Sequence, residues 1–233
     1  MEVSAIVLAA GRGRRLGLGV PKPLVELVSC PIIIYSLKVL SRHPSIKEIV
    51  LVVNPKNRLK IRRAIQQYRI PKITRLVLGG RQRQDSVRKG LEAISPESEL
   101  VLIHDAVRPF INRMMLNSVI EKAKKNGAAI LGVPVKATVK EITISRSQLF
   151  VRSTLNRDNL YEIQTPQVFR RNFILGAYRR FGNTSATDDA MLVEKLGVPV
   201  SVVLGSYDNI KITTPQDLYV AQAILKDKRY KFS

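Results

Sequence analysis

The sequence contains little of several residue types that would place it in a specialised class of protein. Its single cysteine, Cys30, excludes a disulfide framework and fits a reducing compartment. Tryptophan is absent and other aromatic residues are few, so the stacking platforms of single-strand nucleic-acid binders are not evident. No apolar run approaches a membrane span, and the N-terminus lacks the basic region and length of a signal peptide. These absences predict a soluble, cytoplasmic protein with no membrane partner.

Acidic residues are also scarce. The chain carries 39 basic against 18 acidic residues, a formal net charge of +21. Such an excess attracts polyanions, which include nucleic acid, anionic membrane surfaces and phosphorylated small molecules. The basic residues are spread over nearly every segment and are densest in the helix-like stretch 57–69, NRLKIRRAIQQYR. No segment matches a module that reads DNA or RNA, so no specific nucleic-acid partner is expected, and a basic nucleic-acid-binding protein is a distant alternative.

The apolar residues are arranged for a sheet that is covered on both faces. They make up 45% of the 233 residues, enough to bury the core of a single domain. Short apolar runs typical of buried parallel strands alternate with segments of helical spacing. This alternation predicts an α/β fold, with a Rossmann-like, mostly parallel sheet and helices on both faces. The predicted strands are 4–10, 46–53, 73–79, 99–104, 127–135 and 199–204, and the predicted helices lie within 30–43, near 57–69, 85–94, 112–126, 170–181 and 187–196, and from Pro215 onward.

One segment interrupts this alternation. Residues 136–154, KATVKEITISRSQLFVRST, alternate apolar and polar positions around a polar middle, which predicts a projecting β-hairpin. Its apolar side has no obvious core to join, and an isolated hairpin is marginally stable in water. We therefore expect this segment to pack on another surface, and a second subunit would provide one.

The first predicted strand leads into a glycine-rich and cationic turn. Glycines in the segment 11–15, GRGRR, let backbone N–H groups approach an anion at the carboxyl end of a sheet strand. The turn lacks the third glycine of a dinucleotide fold and the Gly-Lys-Ser/Thr of a P-loop. Lys22 follows between Pro21 and Pro23, which restrict the backbone on either side. These cations could neutralise charge on a phosphorus under attack and on a departing pyrophosphate.

Five stretches carry a resemblance to a known family. The first is LAAGRGRRL with the later PK, and the others are GGRQRQDSV (79–87), HDAVRP (104–109), TPQVF (165–169) and DNIKIT (208–213). The first resembles the signature of nucleotidyltransferases that join a sugar or polyol phosphate to a nucleotide. In this order and spacing the set resembles 2-C-methyl-D-erythritol 4-phosphate cytidylyltransferases of the non-mevalonate isoprenoid pathway.

The resemblance implies a reaction. The family forms a cytidine diphosphate polyol by in-line attack of a substrate phosphate on the α-phosphorus of CTP, with release of pyrophosphate. Such chemistry needs positioning and charge neutralisation more than a nucleophile–base pair, and the motifs contain no such pair. The resemblance also implies one nucleotidyltransferase domain over 1–233 and a homodimer, in which an arm at about 136–156 crosses to the partner subunit.

The resemblance further assigns roles to individual residues. The catalytic set is Arg15, Lys22, Arg157 and Lys211. The nucleotide-binding set is Ala9, Ala10, Gly11, Gly13, Gly80, Ser86 and Asp105. The acceptor-binding set is Arg108, Thr138, Arg157, Thr165, Thr187 and Lys211. The cofactor is Mg²⁺, held by Asp105 with Asp208 as a second carboxylate; Asp105 ends a buried strand, and Mg²⁺ usually takes only one or two protein carboxylates.

Several of these residues also have a purely structural interpretation. Asp85 could cap the helix that follows the turn at 79–82. Thr187 could be an N-cap for a helix that begins with two acidic residues. Thr214 and Asp217 fit an N-cap with its capping-box partner. His104 and His43 are expected to be packed histidines with satisfied hydrogen bonds.

Two positions depart from the family pattern. Arg81 stands where the family often has an acidic residue, and Pro23 stands where it usually has glutamine after the lysine. The sequence PKPL is more usual in the wider group of sugar-phosphate nucleotidyltransferases. The acceptor could therefore also be ribitol 5-phosphate or another polyol or sugar phosphate.

Overall fold

A mixed central sheet organises the chain, which this computed structural model describes over residues 1–11 and 20–227. Within these ranges, strands and helices alternate as the sequence predicts. The strands are β1 (Val3–Ala9), β2 (Glu26–Leu27), β3 (Cys30–Pro31), β4 (Ile46–Val53), β5 (Ile73–Leu78), β6 (Leu100–Asp105), β7 (Ala128–Pro134), β8 (Lys140–Ser145), β9 (Gln148–Thr154), β10 (Tyr161–Arg170) and β11 (Ser201–Leu204). The helices are α1 (Ile32–Arg42), α2 (Arg58–Gln67), α3 (Arg83–Leu91), α4 (Arg113–Asn126), α5 (Arg171–Phe181), α6 (Ala190–Glu194) and α7 (Pro215–Lys226).

In the described part of the chain, seven strands form the main sheet in the order β11-β7-β10-β6-β1-β4-β5. Strand β1 pairs in parallel with β4 and β6, β4 with β5, and β11 with β7. Strand β10 is antiparallel to both of its neighbours, β6 and β7. The sheet is thus mostly parallel, as predicted.

Helices cover both faces of the sheet, which confirms the predicted α/β fold. On β1, Ala5 and Val7 belong to a core shared with α1, α2, α4 and α7, whereas Ile6 belongs to a core shared with α3, α5 and α6. Successive side chains of a strand point to opposite faces, so a strand buried on both faces needs an unbroken apolar run. This explains why the buried runs of the sequence identified the strands well.

Helix α6 differs from its prediction. It begins at Ala190 and ends at Glu194, a shorter segment than the predicted 187–196, and Thr187 is not its cap. Instead, the next residue, Asp188, bonds the first turn of α6: its Oδ1 accepts the Met191 N–H at 3.0 Å. The predicted capping box of α7 is confirmed, since Thr214 accepts the Asp217 N–H at 3.4 Å and Asp217 accepts the Thr214 N–H at 2.8 Å.

Strand β10 is not predicted by the sequence pattern. Pro166 lies within it, and a proline argues against a central strand because it cannot donate to the ladder. In the structure, the pairing register with β7 shifts between Gln164 and Gln167, so the proline falls at this irregularity, after a cis Thr165–Pro166 bond. The irregular pairing leaves the strand intact on both sides of the proline.

The predicted hairpin is present as β8 and β9. All six residues of β8 are exposed, and the pairing of Ile142 with Val151 and of Ile144 with Leu149 places four apolar side chains on one face. We call these four side chains the arm face. Elsewhere in the described ranges, no helix is both long and apolar enough to cross a membrane.

Candidate active site

The carboxyl ends of four parallel strands lie side by side at one edge of the sheet. Ala9 pairs with Val53, Val53 with Leu78, and Leu8 with Asp105. The ends of β1 and β6 are also joined by a hydrogen bond, since the Ala106 N–H donates to the Leu8 carbonyl at 3.1 Å. This edge is where open α/β sheets bind ligands.

The turn that follows β5 approaches the predicted nucleotide loop closely. A Cβ added at Gly79 would lie 2.3 Å from the Cβ of Ala10, so only glycine allows this approach. Ala10 is held in turn by the Asn54 side-chain N–H, which donates to its carbonyl at 3.4 Å. Ala10 is therefore placed next to Gly79, and the predicted role of both segments in nucleotide binding stays a prediction.

The same turn is braced from within. The Gly80 N–H donates to Ser86 Oγ at 3.1 Å, and that hydroxyl donates to the Gln82 carbonyl at 3.1 Å. Asp85 accepts the Gln82 N–H at 3.0 Å, so its capping interpretation is confirmed. Ser86 thus shapes the turn, and its predicted contact with the base and ribose stays a prediction.

The cations predicted for the triphosphate are described only in part. Arg12, Gly13, Arg14 and Arg15 lie outside the described residues. Lys22 begins a short 3₁₀ helix, Lys22–Leu24, and its Nζ donates to the Thr213 carbonyl at 3.4 Å. Thr213 directly precedes the N-cap of α7, so Lys22 lies near the segment that carries Lys211.

Asp105 is the centre of a charged cluster. Its Oδ2 lies 2.6 Å from Lys211 Nζ, and its Oδ1 lies 3.5 Å from Arg83 Nε. Burial by itself would raise the pKa of Asp105, but the cations of Arg83, Lys211 and Arg108 hold it well below its ordinary value. The group is therefore a carboxylate throughout the physiological pH range.

Arg83 connects this cluster to a second buried carboxylate. Its Nη2 lies 2.8 Å from Asp189 Oδ2, and the Tyr178 hydroxyl donates to Asp189 Oδ1 at 2.6 Å. Burial lowers the pKa of Arg83, but Asp189 and Asp105 together raise it, so the guanidinium stays charged. Burial, followed by the charge of Asp189, raises the pKa of Tyr178.

Arg108 is aimed by the loop that follows β6. Its Nη1 donates to the Asn209 carbonyl at 2.7 Å, and burial lowers its pKa. Among the described residues, Arg108 Nε and Asn209 Oδ1 are buried and lack a hydrogen-bond partner. A buried polar atom without a hydrogen-bond partner lowers the stability of the fold. A donor and an acceptor of this kind at one site therefore favour the binding of a polar ligand that pairs with them.

His104 ties this loop to β10. Thr165 Oγ1 accepts the Asp105 N–H at 3.1 Å, which leaves its own hydrogen for His104 Nδ1, also at 3.1 Å. His104 Nε2 then carries the ring proton and donates to the Arg108 carbonyl at 3.2 Å. Burial lowers the pKa of His104 to about 4, so the ring is neutral. His104 is thus a packed histidine with satisfied bonds, as predicted.

Four predicted residues lie outside this cluster. Thr138 is exposed at the base of the arm, and the exposed Arg157 donates to the Lys136 carbonyl there. Thr187 is exposed, with its hydroxyl 3.9 Å from the Met191 sulfur. Asp208 is also exposed, and its N–H donates to Ser206 Oγ at 3.1 Å. Within the described part of one chain, no hydrogen bond or ion pair joins any of these four residues to Asp105.

The arrangement suits the binding of phosphates. In the described ranges, no three His, Cys, Asp or Glu side chains are grouped as a self-sufficient metal site. Asp105 could give a divalent cation one oxygen, and phosphates and waters would supply the rest.

The sequence does not identify Arg83, Asp189 or Asn209 as site residues. The stretch at 79–87 contains Arg83, but its partners are 22 and 106 positions away along the chain.

Known proteins resemble the chain over nearly its whole length. The family model IspD, 2-C-methyl-D-erythritol 4-phosphate cytidylyltransferase, matches residues 3–227. A protein of that name from Geobacillus kaustophilus is 44% identical over 230 residues, covering 98% of this chain and 99% of the relative. A protein of the same name from Syntrophus aciditrophicus is 45% identical over 228 residues, covering 97% of this chain and 96% of the relative.

Solved structures agree with this similarity. The 4-diphosphocytidyl-2C-methyl-D-erythritol synthase from Anaerococcus prevotii superposes with a TM-score of 0.85 at 37% identity, covering 97% of this chain and 96% of that one. The 2-C-methyl-D-erythritol 4-phosphate cytidylyltransferase from Thermus thermophilus superposes with a TM-score of 0.74 at 33% identity, covering 96% and 98%. The chain therefore belongs to the 2-C-methyl-D-erythritol 4-phosphate cytidylyltransferase family.

Proposed function

We propose that this protein transfers the cytidylyl group of CTP to 2-C-methyl-D-erythritol 4-phosphate and releases pyrophosphate. The observation that carries this proposal is the full-length similarity to enzymes of that name, at 44% and 45% identity. The geometry is compatible with it, because the carboxyl ends of β1 and β6 lie side by side and the cations of Arg83 and Lys211 flank the carboxylate of Asp105 there. The product is an activated precursor for isoprenoid synthesis.

The proposed reaction is an in-line displacement at phosphorus. An oxygen of the acceptor phosphate forms a bond to the α-phosphorus of CTP. The bond from that phosphorus to the oxygen bridging the α- and β-phosphates breaks, and its electron pair leaves with pyrophosphate. No proton needs to be removed from an ionised phosphate, so the protein's work is to align two anions and to neutralise charge.

The cations divide between the two anions in this proposal. Lys22, together with Arg15, would neutralise the triphosphate next to the turn that follows β1. Lys211 and Arg108 would bind the acceptor phosphate, and this assignment is supported by their places around Asp105 and Asn209. Preorganised charges of this kind typically contribute about 2.7–4 kcal/mol each to lowering the barrier.

Mg²⁺ is part of the proposal, and Asp105 fits it as a ligand. The carboxylate is ionised and lies at the carboxyl end of β6, but Arg83, Lys211 and Arg108 surround it with positive charge. Such a site suits a cation that arrives with the triphosphate, which supplies both negative charge and oxygen ligands. When bound, Mg²⁺ would neutralise phosphate oxygens. The exposed Asp208 is proposed as a second, weaker ligand.

We also propose that the protein acts as a homodimer in the cytoplasm. The arm face is apolar and exposed in the single chain, and a second copy would cover it. Arg157 and Thr138 lie at the base of the arm, so the partner subunit's arm could bring them to the acceptor site. The buried free thiol of Cys30 suits a reducing compartment.

A related acceptor is the second candidate, and Pro23 is the observation that favours it. This proline is buried in the helix that begins at Lys22, where the family usually has glutamine. A changed neighbour of the catalytic lysine could alter the choice of polyol phosphate. Comparison of kcat/KM for methylerythritol phosphate, ribitol 5-phosphate and other polyol phosphates separates the candidates.

Pyrophosphate release tests the proposal directly. Purified protein with CTP, Mg²⁺ and 2-C-methyl-D-erythritol 4-phosphate should release pyrophosphate at a rate far above that of a Lys22→Ala variant. Omission of the acceptor gives the background of CTP hydrolysis. A wild-type rate equal to that of the variant would remove the proposed function.

A further inference from the structure

Asp189 is a buried carboxylate that the proposed reaction does not use. Its side chain is 1% exposed. Among the described residues, its two carboxylate oxygens are bonded to Arg83 Nη2 at 2.8 Å and to the Tyr178 hydroxyl at 2.6 Å. A buried charge is strongly destabilising unless it is paired, so Asp189 holds the guanidinium of Arg83 in place.

The same guanidinium also contacts Asp105 in the candidate active site, through a second nitrogen. Arg83 Nε lies 3.5 Å from Asp105 Oδ1, whereas Lys211 Nζ contacts the other oxygen, Oδ2. Arginine is suited to this position because its planar fork presents donors in fixed directions to two carboxylates at once. Arg83 is the first residue of α3, so the helix backbone fixes its base.

From this geometry we propose that Arg83 is a positioning residue for Asp105, anchored by the buried pair Asp189 and Tyr178. The inference rests on the proposed function, and it concerns how the carboxylate proposed to bind Mg²⁺ is kept in place. The chain of contacts runs from the Tyr178 hydroxyl through Asp189 and Arg83 to Asp105, and its elements are α5, the start of α6, the start of α3 and the end of β6.

The two cations on Asp105 have different freedom. The side chain of Lys211 is 41% exposed, whereas that of Arg83 is 30% exposed and its Nη2 is bonded to the buried Asp189. Lys211 can therefore turn towards an incoming phosphate while Arg83 stays. Arg83 thus keeps Asp105 aligned while Lys211, the other cation on Asp105, binds the substrate phosphate.

Arg83→Lys tests the proposal, because lysine keeps the charge but cannot bridge two carboxylates. We expect kcat to fall by about 10- to 100-fold, the usual cost of losing the partner of a ligating carboxylate, with the KM for the acceptor nearly unchanged. Arg88→Lys is the matched control. Arg88 lies on the same helix, and its guanidinium donates to the Gly182 carbonyl and to Asn183 Oδ1, away from Asp105. Equal kcat losses in the two variants would overturn the proposal.

Tyr178→Phe tests the first contact in this series, the hydrogen bond from Tyr178 to Asp189, and keeps the aromatic ring in the core. We expect a smaller loss of kcat, about 3- to 10-fold. In an Arg83→Lys background the same change should have no further effect on kcat, because Tyr178 acts through Arg83. Independent, multiplying losses would contradict this coupling. If Arg83→Lys does not fold, Tyr178→Phe by itself still tests the proposal.

An NMR measurement separates this inference from the proposed function. The Arg83 Nε–H signal, identified by its loss in Arg83→Lys, should be visible in the wild type and should shift or broaden in Tyr178→Phe but not in Arg88→Lys. This readout needs no substrate. An unchanged signal in Tyr178→Phe would overturn the positioning chain even in an active enzyme, and an inactive wild type would remove only the proposed function.

Discussion

Gly79 determines how closely two loops of the candidate site approach each other. A Cβ at this position would lie 2.3 Å from the Cβ of Ala10 and 2.9 Å from Ser86 Oγ. The Cβ of Ala10 is fixed to its backbone and Ser86 Oγ is held by hydrogen bonds to Gly80 and Gln82, so the backbone has to move. Gly79→Ala should therefore lower the free energy of unfolding by about 1–3 kcal/mol and raise the KM for CTP. Urea unfolding and steady-state kinetics measure the two effects.

A suitable control for this substitution is Gly176→Ala in α5. There the nearest atom to an added Cβ is 3.7 Å away, an ordinary contact. Alanine is the better helix former, so stability should be kept or should rise by about 0.5–1 kcal/mol. A KM for CTP that is equal in the two variants would show that Gly79 does not shape the nucleotide site.

At the same scale, the sequence identifies the side chains of the candidate site better than the residues that they contact. Asp105, Arg108, Thr165 and Lys211 come from three separate motifs, and the structure brings them into one cluster. Their catalytic and binding roles stay predictions. The link from Arg83 to Asp189 spans 106 positions and depends on how α3 and α6 pack, which no local pattern encodes.

At the scale of secondary structure, the arm face is the feature with the clearest consequence. Ile144 is 73% exposed and its cross-strand partner Leu149 is 72% exposed. Ile144→Asp together with Leu149→Asp should convert the proposed dimer into a monomer, because carboxylates would have to be buried unpaired. Light scattering coupled to size-exclusion chromatography measures the mass, and kcat/KM should fall by about 10- to 100-fold with the loss of the partner's residues.

Thr143→Asp provides the comparison, since Thr143 pairs with Phe150 on the other face of the same hairpin. This variant should keep the mass of the wild type. A wild-type protein that is already a monomer, or a double variant that remains a dimer, would contradict the proposed role of the arm.

The elements that the sequence predicts well share a physical basis. Strands β1, β4, β6 and β7 are buried on both faces along most of their length, so each contains a run of consecutive apolar residues. Strand β10 escapes prediction because Pro166 interrupts its pattern, and only the irregular pairing with β7 makes that proline acceptable. The start of α6 is misplaced because Thr187 and Asp188 are both good caps, and tertiary contacts decide between them. Asp188 Oδ2 also accepts the Gln167 side-chain N–H at 2.8 Å.

At the scale of the whole molecule, both histidines of the chain are buried and neutral. Burial lowers the pKa of His43, whose Nε2 lies 2.9 Å from Asn117 Oδ1, and it lowers the pKa of His104 from 6.5 to about 4. The unfolded chain takes up protons below pH 6.5, and the folded protein does so only at lower pH. The free energy of unfolding should therefore be highest above pH 6.5 and should fall by about 2 kcal/mol from pH 7.5 to pH 5 through His104 alone.

Urea unfolding at pH 7.5 and pH 5 measures this dependence. His104→Gln should remove about 2 kcal/mol of the difference between the two pH values, whatever it does to stability itself. His43→Gln should remove a further part in the same direction. The lowered pKa of Asp105 changes the free energy of unfolding only at more acid pH, so it does not contribute to the difference between pH 7.5 and pH 5. An unchanged pH dependence in both variants would show that the histidines titrate alike in the folded and unfolded chain.

Strand β10 joins the base of the arm to the interior of the sheet, and Thr165 lies within it beside Asp105. Strand β6 stands between β10 and β1, the strand that leads to the glycine-rich turn. In the proposed assignment, strain in the hairpin would reach the acceptor site directly through β10, whereas β6 stands between β10 and the proposed nucleotide site at the end of β1. Weakened association of two copies should therefore impair capture of the polyol before it impairs capture of CTP.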